Sequence, residues 1–93
     1  MSTDKLEKIL LIQNKLGLHA RAATQLAKLA NQFDAEVTIH QGDKSASATS
    51  VLGLMMLESS MGKEVRVVSE GQDAEAAMAA VEQLIQKKFN EEQ

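Results

Sequence analysis

The residues with the clearest chemical potential lie at positions 17–21. Gly17, His19 and Arg21 bring a glycine, an imidazole and a guanidinium together within five residues. A strand-like pattern gives way to a helix-like one here, so His19 falls at a helix N-terminus. That end of a helix offers unpaired backbone N–H groups and the positive end of the macrodipole, which favour an anion. On the residues alone, His19 either carries a phosphoryl group beside an anion site or only caps the helix.

Among the side chains of this sequence, His19 is the only convincing candidate for a nucleophile. Imidazole titrates near neutrality, so an unprotonated ring nitrogen is available for attack. Arg21 can donate hydrogen bonds to phosphoryl oxygens and offset their charge. The first helical turn, with Ala20 and Ala22, adds free backbone amides to this anion site. No acidic residue adjoins His19 in the sequence to act as a base, and no Walker-type glycine loop is present for a nucleotide.

Length and composition indicate a single small domain and argue against several kinds of protein. A chain of 93 residues is long enough for one core, so we expect a single domain spanning residues 1–93. The net charge of −3 and the two aromatic residues argue against a nucleic-acid binder. Two distant histidines and no cysteine argue against zinc and thiol chemistry, and we expect no cofactor. The polar start and the short apolar runs predict a cytoplasmic protein without membrane insertion.

Hydrophobic periodicity predicts the order of the elements. In chain order these are a strand at 6–13, a helix from 20 to about 31–34, strands at 35–40 and 45–48, a helix at 50–60, a strand at 64–70 and a final helix. We expect Asp73 to cap that final helix, Lys87 and Lys88 to complement its C-terminal end, and residues 91–93 to fray. Four antiparallel strands with three helices on one face make a two-layer α+β domain. Which face of the first strand is buried stays open.

The segment 50–60 is the second informative stretch. Ser50 is a natural N-cap for it. Its apolar residues cover nearly the whole helical wheel: Val51, Leu52, Leu54, Met55, Met56 and Leu57. A short helix that is apolar all round cannot hide every side in a small domain, so part of it would form an exposed partner surface. The alternative is a helix that lies deep in the core, and the pattern alone favours neither.

Two motifs closely resemble the HPr family, the histidine-containing phosphocarriers of the bacterial phosphotransferase system. The first resembles the active-site signature of the family and reads Gly17-Leu18-His19-Ala20-Arg21-Ala22-Ala23. The second resembles its serine region and reads Ser50-Val51-Leu52-Gly53-Leu54-Met55. The spacing of the two motifs, the chain length and the element order match as well. The resemblance implies an open-faced β-sandwich of βαββαβα order.

The resemblance also implies a reaction and its partners. A phosphoryl group would be carried on Nδ1 of His19, donated by phosphorylated Enzyme I and accepted by Enzyme IIA domains. The docking face around the histidine would comprise Thr24, Lys28, Leu52 and Met55, and the protein would act as a monomer. Two alternatives stay open: a regulatory binding module in which His19 is inert, and a small-molecule-binding domain of similar topology.

Ala22 and Ser50 raise further questions. Ala22 stands where the family more commonly has proline, which resembles the nitrogen-related NPr branch, a regulatory relay; the sequence does not choose between that branch and the sugar branch. The residue matching Ser50 is modified in some relatives by an HPr kinase/phosphorylase. A phosphate on Ser50 would lie at a helix N-terminus and add negative charge beside the docking face. The alternative is that Ser50 only caps its helix.

Overall fold

A computed structural model describes residues 5–91 of the chain. Four strands and three helices alternate in the predicted order, and a short 3₁₀ turn follows the last helix. The elements are β1 (Lys5–Leu11), α1 (Ala20–Ala30), β2 (Glu36–Gln41), β3 (Lys44–Ser47), α2 (Val51–Met56), β4 (Glu64–Glu70), α3 (Ala74–Gln86) and the turn Lys88–Asn90. The predicted α+β class and the βαββαβα order are therefore confirmed.

The strands form one antiparallel sheet in the order β1-β4-β2-β3. Pairing with β4 decides which face of β1 is buried, a question that the sequence left open. Leu10 lies opposite Val65, and both are buried, whereas Ile9 lies opposite Arg66 and is 57% exposed. Ile9 and Arg66 thus belong to the face of the sheet that the helices leave open.

Small side chains let the helices approach the sheet and each other closely. The buried stripe of α1 consists largely of alanines around Leu26, and α3 contributes Met78, Val81 and Ile85 to the same core. Helix α2 behaves differently, because it buries Leu54 while Leu52 and Met56 are 74% and 72% exposed. Of the two interpretations of this segment, the exposed apolar patch is the one that the fold contains.

Several predicted boundaries are wrong, and the side chain of one predicted cap has a different partner. The helix expected at 50–60 ends at Met56, because Glu58 adopts a left-handed φ of 56° and stops it. The first strand ends at Leu11 rather than at position 13. Asp73 is the N-cap residue of α3 as predicted, and its carbonyl accepts from the N–H of Ala77 at 2.8 Å. Its side chain does not cap the helix, because Oδ2 accepts from the backbone N–H of Asp34 at 2.7 Å. The carboxylate therefore ties α3 to the loop after α1. Helix α3 ends at Gln86, and Lys87, its C-cap residue, and Lys88 follow at the C-terminal end where they were expected.

We also examined whether any helix of the described residues could cross a membrane. Within residues 5–91, every helix is too short or too polar to cross a bilayer.

Candidate functional site

His19 is the N-cap residue of α1. Its backbone is extended, with φ −80° and ψ −178°, and its carbonyl accepts from the N–H of Ala23 at 2.8 Å. The ring folds back over the helix end, so that Nδ1 accepts from the backbone N–H of Arg21 at 3.3 Å. The imidazole is 27% exposed. One ring nitrogen therefore faces the backbone amides of the first turn, where the macrodipole favours negative charge.

The turn before the histidine depends on Gly17. This residue has φ +68°, and an added Cβ would overlap the carbonyl of Ser59 and lie 2.8 Å from Cα of Ser60. The neighbouring N–H of Leu18 donates to that same Ser59 carbonyl at 2.8 Å. The loop that carries His19 is thereby fastened to the segment that follows α2. Backbone contacts thus hold the loop of the first motif against residues that follow the second motif.

Most of the other predicted site residues are accessible on α1 and α2. Arg21, Thr24 and Lys28 are exposed and line one open groove along α1, which Asn90 helps to form. Leu52 and Met55 are exposed on α2, a helix that packs against α1. Of the two alanines in the predicted anion site, Ala20 is exposed and Ala22 is fully buried. Ala22 can therefore contribute its backbone N–H but not its side chain.

Glu91 is the site residue that the sequence did not reveal. Its Oε2 lies 2.6 Å from Nε2 of His19, although 72 residues separate the two, and the side chain is only 7% exposed. The expectation that Glu91 frays is therefore wrong; residues 92 and 93, which shared that prediction, lie outside the described residues. A glutamate in a polar tail carries no linear signal for such a contact.

Asn14 connects Glu91 to the turn before the histidine. This asparagine is fully buried. Its Nδ2 donates to the carbonyl of Gly17 at 2.8 Å and to Oε2 of Glu91 at 2.9 Å. The carboxylate oxygen thus meets two side-chain nitrogens, one from the asparagine and one from His19.

A left-handed turn delivers Glu91 to this position. Lys88, Phe89 and Asn90 have φ values of 57°, 55° and 62°, a conformation that L-residues adopt at a cost. Phe89 is buried in the core. The side chain of Gln25 on α1 donates to the carbonyl of Phe89 at 3.0 Å and accepts from Nδ2 of Asn90 at 3.2 Å. The surrounding contacts hold the turn against α1.

The environment of Glu91 also sets its ionisation. Burial by itself raises the pKa of this carboxyl, but the hydrogen bonds with His19 and Asn14 outweigh burial and lower the pKa below its ordinary value. The carboxylate is therefore ionised at neutral pH.

The lowered pKa of Glu91 predicts an acid-dependent loss of stability. A carboxyl whose pKa is lower in the folded state stabilises the fold above its ordinary pKa of about 4.5, and this contribution is lost as pH falls from there through the folded-state value. Urea unfolding of the wild type and Glu91→Gln should show a clear stability difference at pH 7. That difference should shrink at pH 3. A difference that stays constant over this range would contradict the assignment.

Ser50 caps α2 as predicted. Its side-chain Oγ accepts from the N–H of Gly53 at 3.0 Å, and its carbonyl accepts from Leu54 at 2.9 Å. A Cβ on Gly53 would lie 2.9 Å from that Oγ and 3.1 Å from Cβ of Ala46, so glycine keeps the helix start close to β3. Phosphorylation of Ser50 stays a prediction.

The protein is thus a small α+β domain whose histidine caps a helix. One side of the imidazole faces the amides of that helix, and part of the ring is exposed to solvent. A family model described as "PTS HPr component phosphorylation site" matches residues 6–87. The phosphocarrier protein NPr of Shewanella violacea is 61% identical over 87 residues, which cover 94% of this chain and 96% of that protein. The phosphocarrier protein HPr of Xylella fastidiosa is 38% identical, covering 94% and 98%.

Solved structures show the same likeness. The structure of HPr-C-His from Thermoanaerobacter tengcongensis superposes with a TM-score of 0.90 at 38% identity, covering 95% of this chain and 99% of that one.

These comparisons assign the family. The chain belongs to the HPr family of the phosphotransferase system. It is thus a phosphocarrier of that system, and its partners are enzymes of the same system. The predicted family and the carrier role are confirmed. Glu91 lies beyond the residues that the family model matches.

Proposed function

We propose that Nδ1 of His19 receives the phosphoryl group from phosphorylated Enzyme I and passes it to Enzyme IIA domains. The observation that supports this most directly is the contact between Nδ1 and the backbone N–H of Arg21 at 3.3 Å. It places the Nδ1 lone pair at the helix N-terminus, where a phosphoryl group would meet unpaired amides. The other ring nitrogen is already bonded to Glu91.

The transfer needs no base beside the histidine. The Nδ1 electron pair forms the new N–P bond, while the bond between phosphorus and the donor atom breaks and leaves its electron pair on Enzyme I. The phosphoryl oxygens then come under the first-turn amides of Ala20 and Ala22 and within reach of the exposed Arg21 guanidinium. Transfer to Enzyme IIA repeats the same exchange in the opposite direction, with His19 as the leaving group.

Phosphate uptake tests this proposal. The wild-type protein, incubated with phosphoenolpyruvate and Enzyme I, should acquire a phosphate that is acid-labile and alkali-stable. His19→Ala should show only background uptake. His40→Ala removes the chain's other histidine, which lies on β2, and should be labelled like the wild type. Uptake by His19→Ala, or no uptake by the wild type, would refute the proposal.

The docking face can be tested separately from the chemistry. Leu52 is 74% exposed on α2, so Leu52→Glu should weaken binding to Enzyme I by about 10-fold or more while changing the free energy of unfolding by less than about 0.5 kcal/mol. Ile9→Glu is the matched control, because Ile9 is also exposed but lies on the open face of the sheet. Equal binding by the two variants, measured by titration calorimetry, would argue against α2 as the docking surface.

A relay of the nitrogen-related branch is a second candidate. It is supported by the 61% identity to the NPr of Shewanella violacea and by Ala22 at the position where proline is commoner. Competition between a sugar-branch and a nitrogen-branch Enzyme I for this protein distinguishes the candidates. The branch whose phosphorylated Enzyme I transfers faster is the one that the protein serves.

A further inference from the structure

We propose that Glu91 is a positioning residue for phosphoryl transfer at His19. Its carboxylate holds the imidazole in the tautomer that leaves Nδ1 free, and it stabilises the positive charge that the ring gains when Nδ1 is phosphorylated. This inference rests on the proposed function, because it takes His19 as the acceptor.

Two independent partners of the ring require the same tautomer. An ionised carboxylate can only accept, so the proton between Nε2 of His19 and Oε2 of Glu91, 2.6 Å apart, belongs to Nε2. A backbone N–H can only donate, so Nδ1, which faces the N–H of Arg21, carries a lone pair. Glu91 at one nitrogen and Arg21 at the other therefore orient the ring with its nucleophilic atom at the anion site.

The carboxylate also compensates charge during the reaction. When Nδ1 forms its bond to phosphorus, the ring keeps the proton on Nε2, and so the phosphorylated imidazole carries a positive charge in the ring. The negative charge of Glu91 lies directly on that Nε2–H, at the end of the ring away from the phosphoryl oxygens. A buried carboxylate that accepts from the far nitrogen of a reactive histidine acts in the same way in serine hydrolases, where it orients the ring and stabilises the imidazolium.

The position of Glu91 is built by several other residues. Asn14 holds the same oxygen that contacts His19. Phe89 anchors the preceding turn in the core, and Gln25 fastens it to α1. Three consecutive residues adopt left-handed φ values just before the carboxylate. Strained backbone that is held by its surroundings is typical of functional sites, and here it brings a buried carboxylate to the reactive ring.

The experiment measures the tautomer of His19 and the rate of phosphoryl transfer in full-length variants. In the wild type, ¹⁵N NMR should show the Nε2–H tautomer. In Glu91→Ala, both tautomers should be populated, and single-turnover transfer from phosphorylated Enzyme I should slow about 10- to 100-fold with little change in the affinity for Enzyme I. Glu91→Gln keeps the side-chain volume and an acceptor for Nε2–H but loses the charge, so its rate should fall between the two.

The controls separate this inference from the proposed function. Glu75→Gln removes the same charge from an exposed position in the first turn of α3, and it should match the wild type in tautomer and rate. If the wild type itself takes up no phosphate, the proposed function fails. If the wild type is phosphorylated, and Glu91→Gln and Glu91→Ala transfer at its rate with an unchanged tautomer, the role of Glu91 is refuted. Because Glu91→Gln is nearly isosteric, it provides the test if the alanine variant does not fold.

Discussion

Replacing Gly17 with alanine is expected to lower the free energy of unfolding by about 2–5 kcal/mol and to impair phosphoryl uptake. Part of the cost, about 1–2 kcal/mol, comes from holding a residue with a Cβ at φ +68°. The larger part comes from overlap of the new methyl group with the carbonyl oxygen of Ser59 and Cα of Ser60. These backbone atoms cannot move without displacing the loop, and overpacking of this kind costs about 1–3 kcal/mol. Urea unfolding measures the loss of stability, and labelling from phosphoenolpyruvate and Enzyme I measures the loss of uptake.

Gly42→Ala is the matched control for this prediction. Gly42 also has a left-handed φ, +59°, but an added Cβ there would meet nothing within 4 Å. The variant should lose only the conformational part, about 1–2 kcal/mol, and keep its phosphoryl uptake. Equal losses at Gly17 and Gly42 would mean that the contact between the histidine loop and the segment after α2 is unimportant for stability.

Replacing Phe89 with alanine is expected to cost about 3–5 kcal/mol, because it deletes a fully buried ring and leaves a cavity. This is a large fraction of the stability of a small domain, which is about 5–15 kcal/mol in total. Phe89 also anchors the turn that carries Glu91, so the variant should lose the hydrogen bond between Glu91 and His19. Urea unfolding and the ¹⁵N spectrum of His19 test the two effects.

The second phenylalanine of the chain provides the comparison. Phe33 is only partly buried and packs at the edge of the core. Phe33→Ala removes the same group of atoms but should cost clearly less, and it should leave the tautomer of His19 unchanged. A larger loss at Phe33 than at Phe89 would contradict the view that the C-terminal turn is part of the core.

The predicted caps show where local sequence is sufficient and where it is not. His19 and Ser50 lie at helix starts, as predicted, because a cap bonds to a backbone N–H two or three residues away. Asp73 has the same sequence signature, yet its carboxylate bonds to Asp34, 39 residues away. Competition from a distant N–H is invisible in a local pattern, and so the sequence predicted the position of Asp73 at the helix start but not the partner of its side chain.

The amphipathic helices and alternating strands are likewise properties of neighbouring residues, and the sequence alone was enough to predict their order, the α+β class and the position of His19 at a helix end. Tertiary structure decided the rest: the exposed side of α2, the buried face of β1 and above all the partner of Nε2. Glu91 reaches His19 through a left-handed turn held by Phe89 and Gln25. Such a contact depends on how distant segments pack, and periodicity over a few residues contains no information about it.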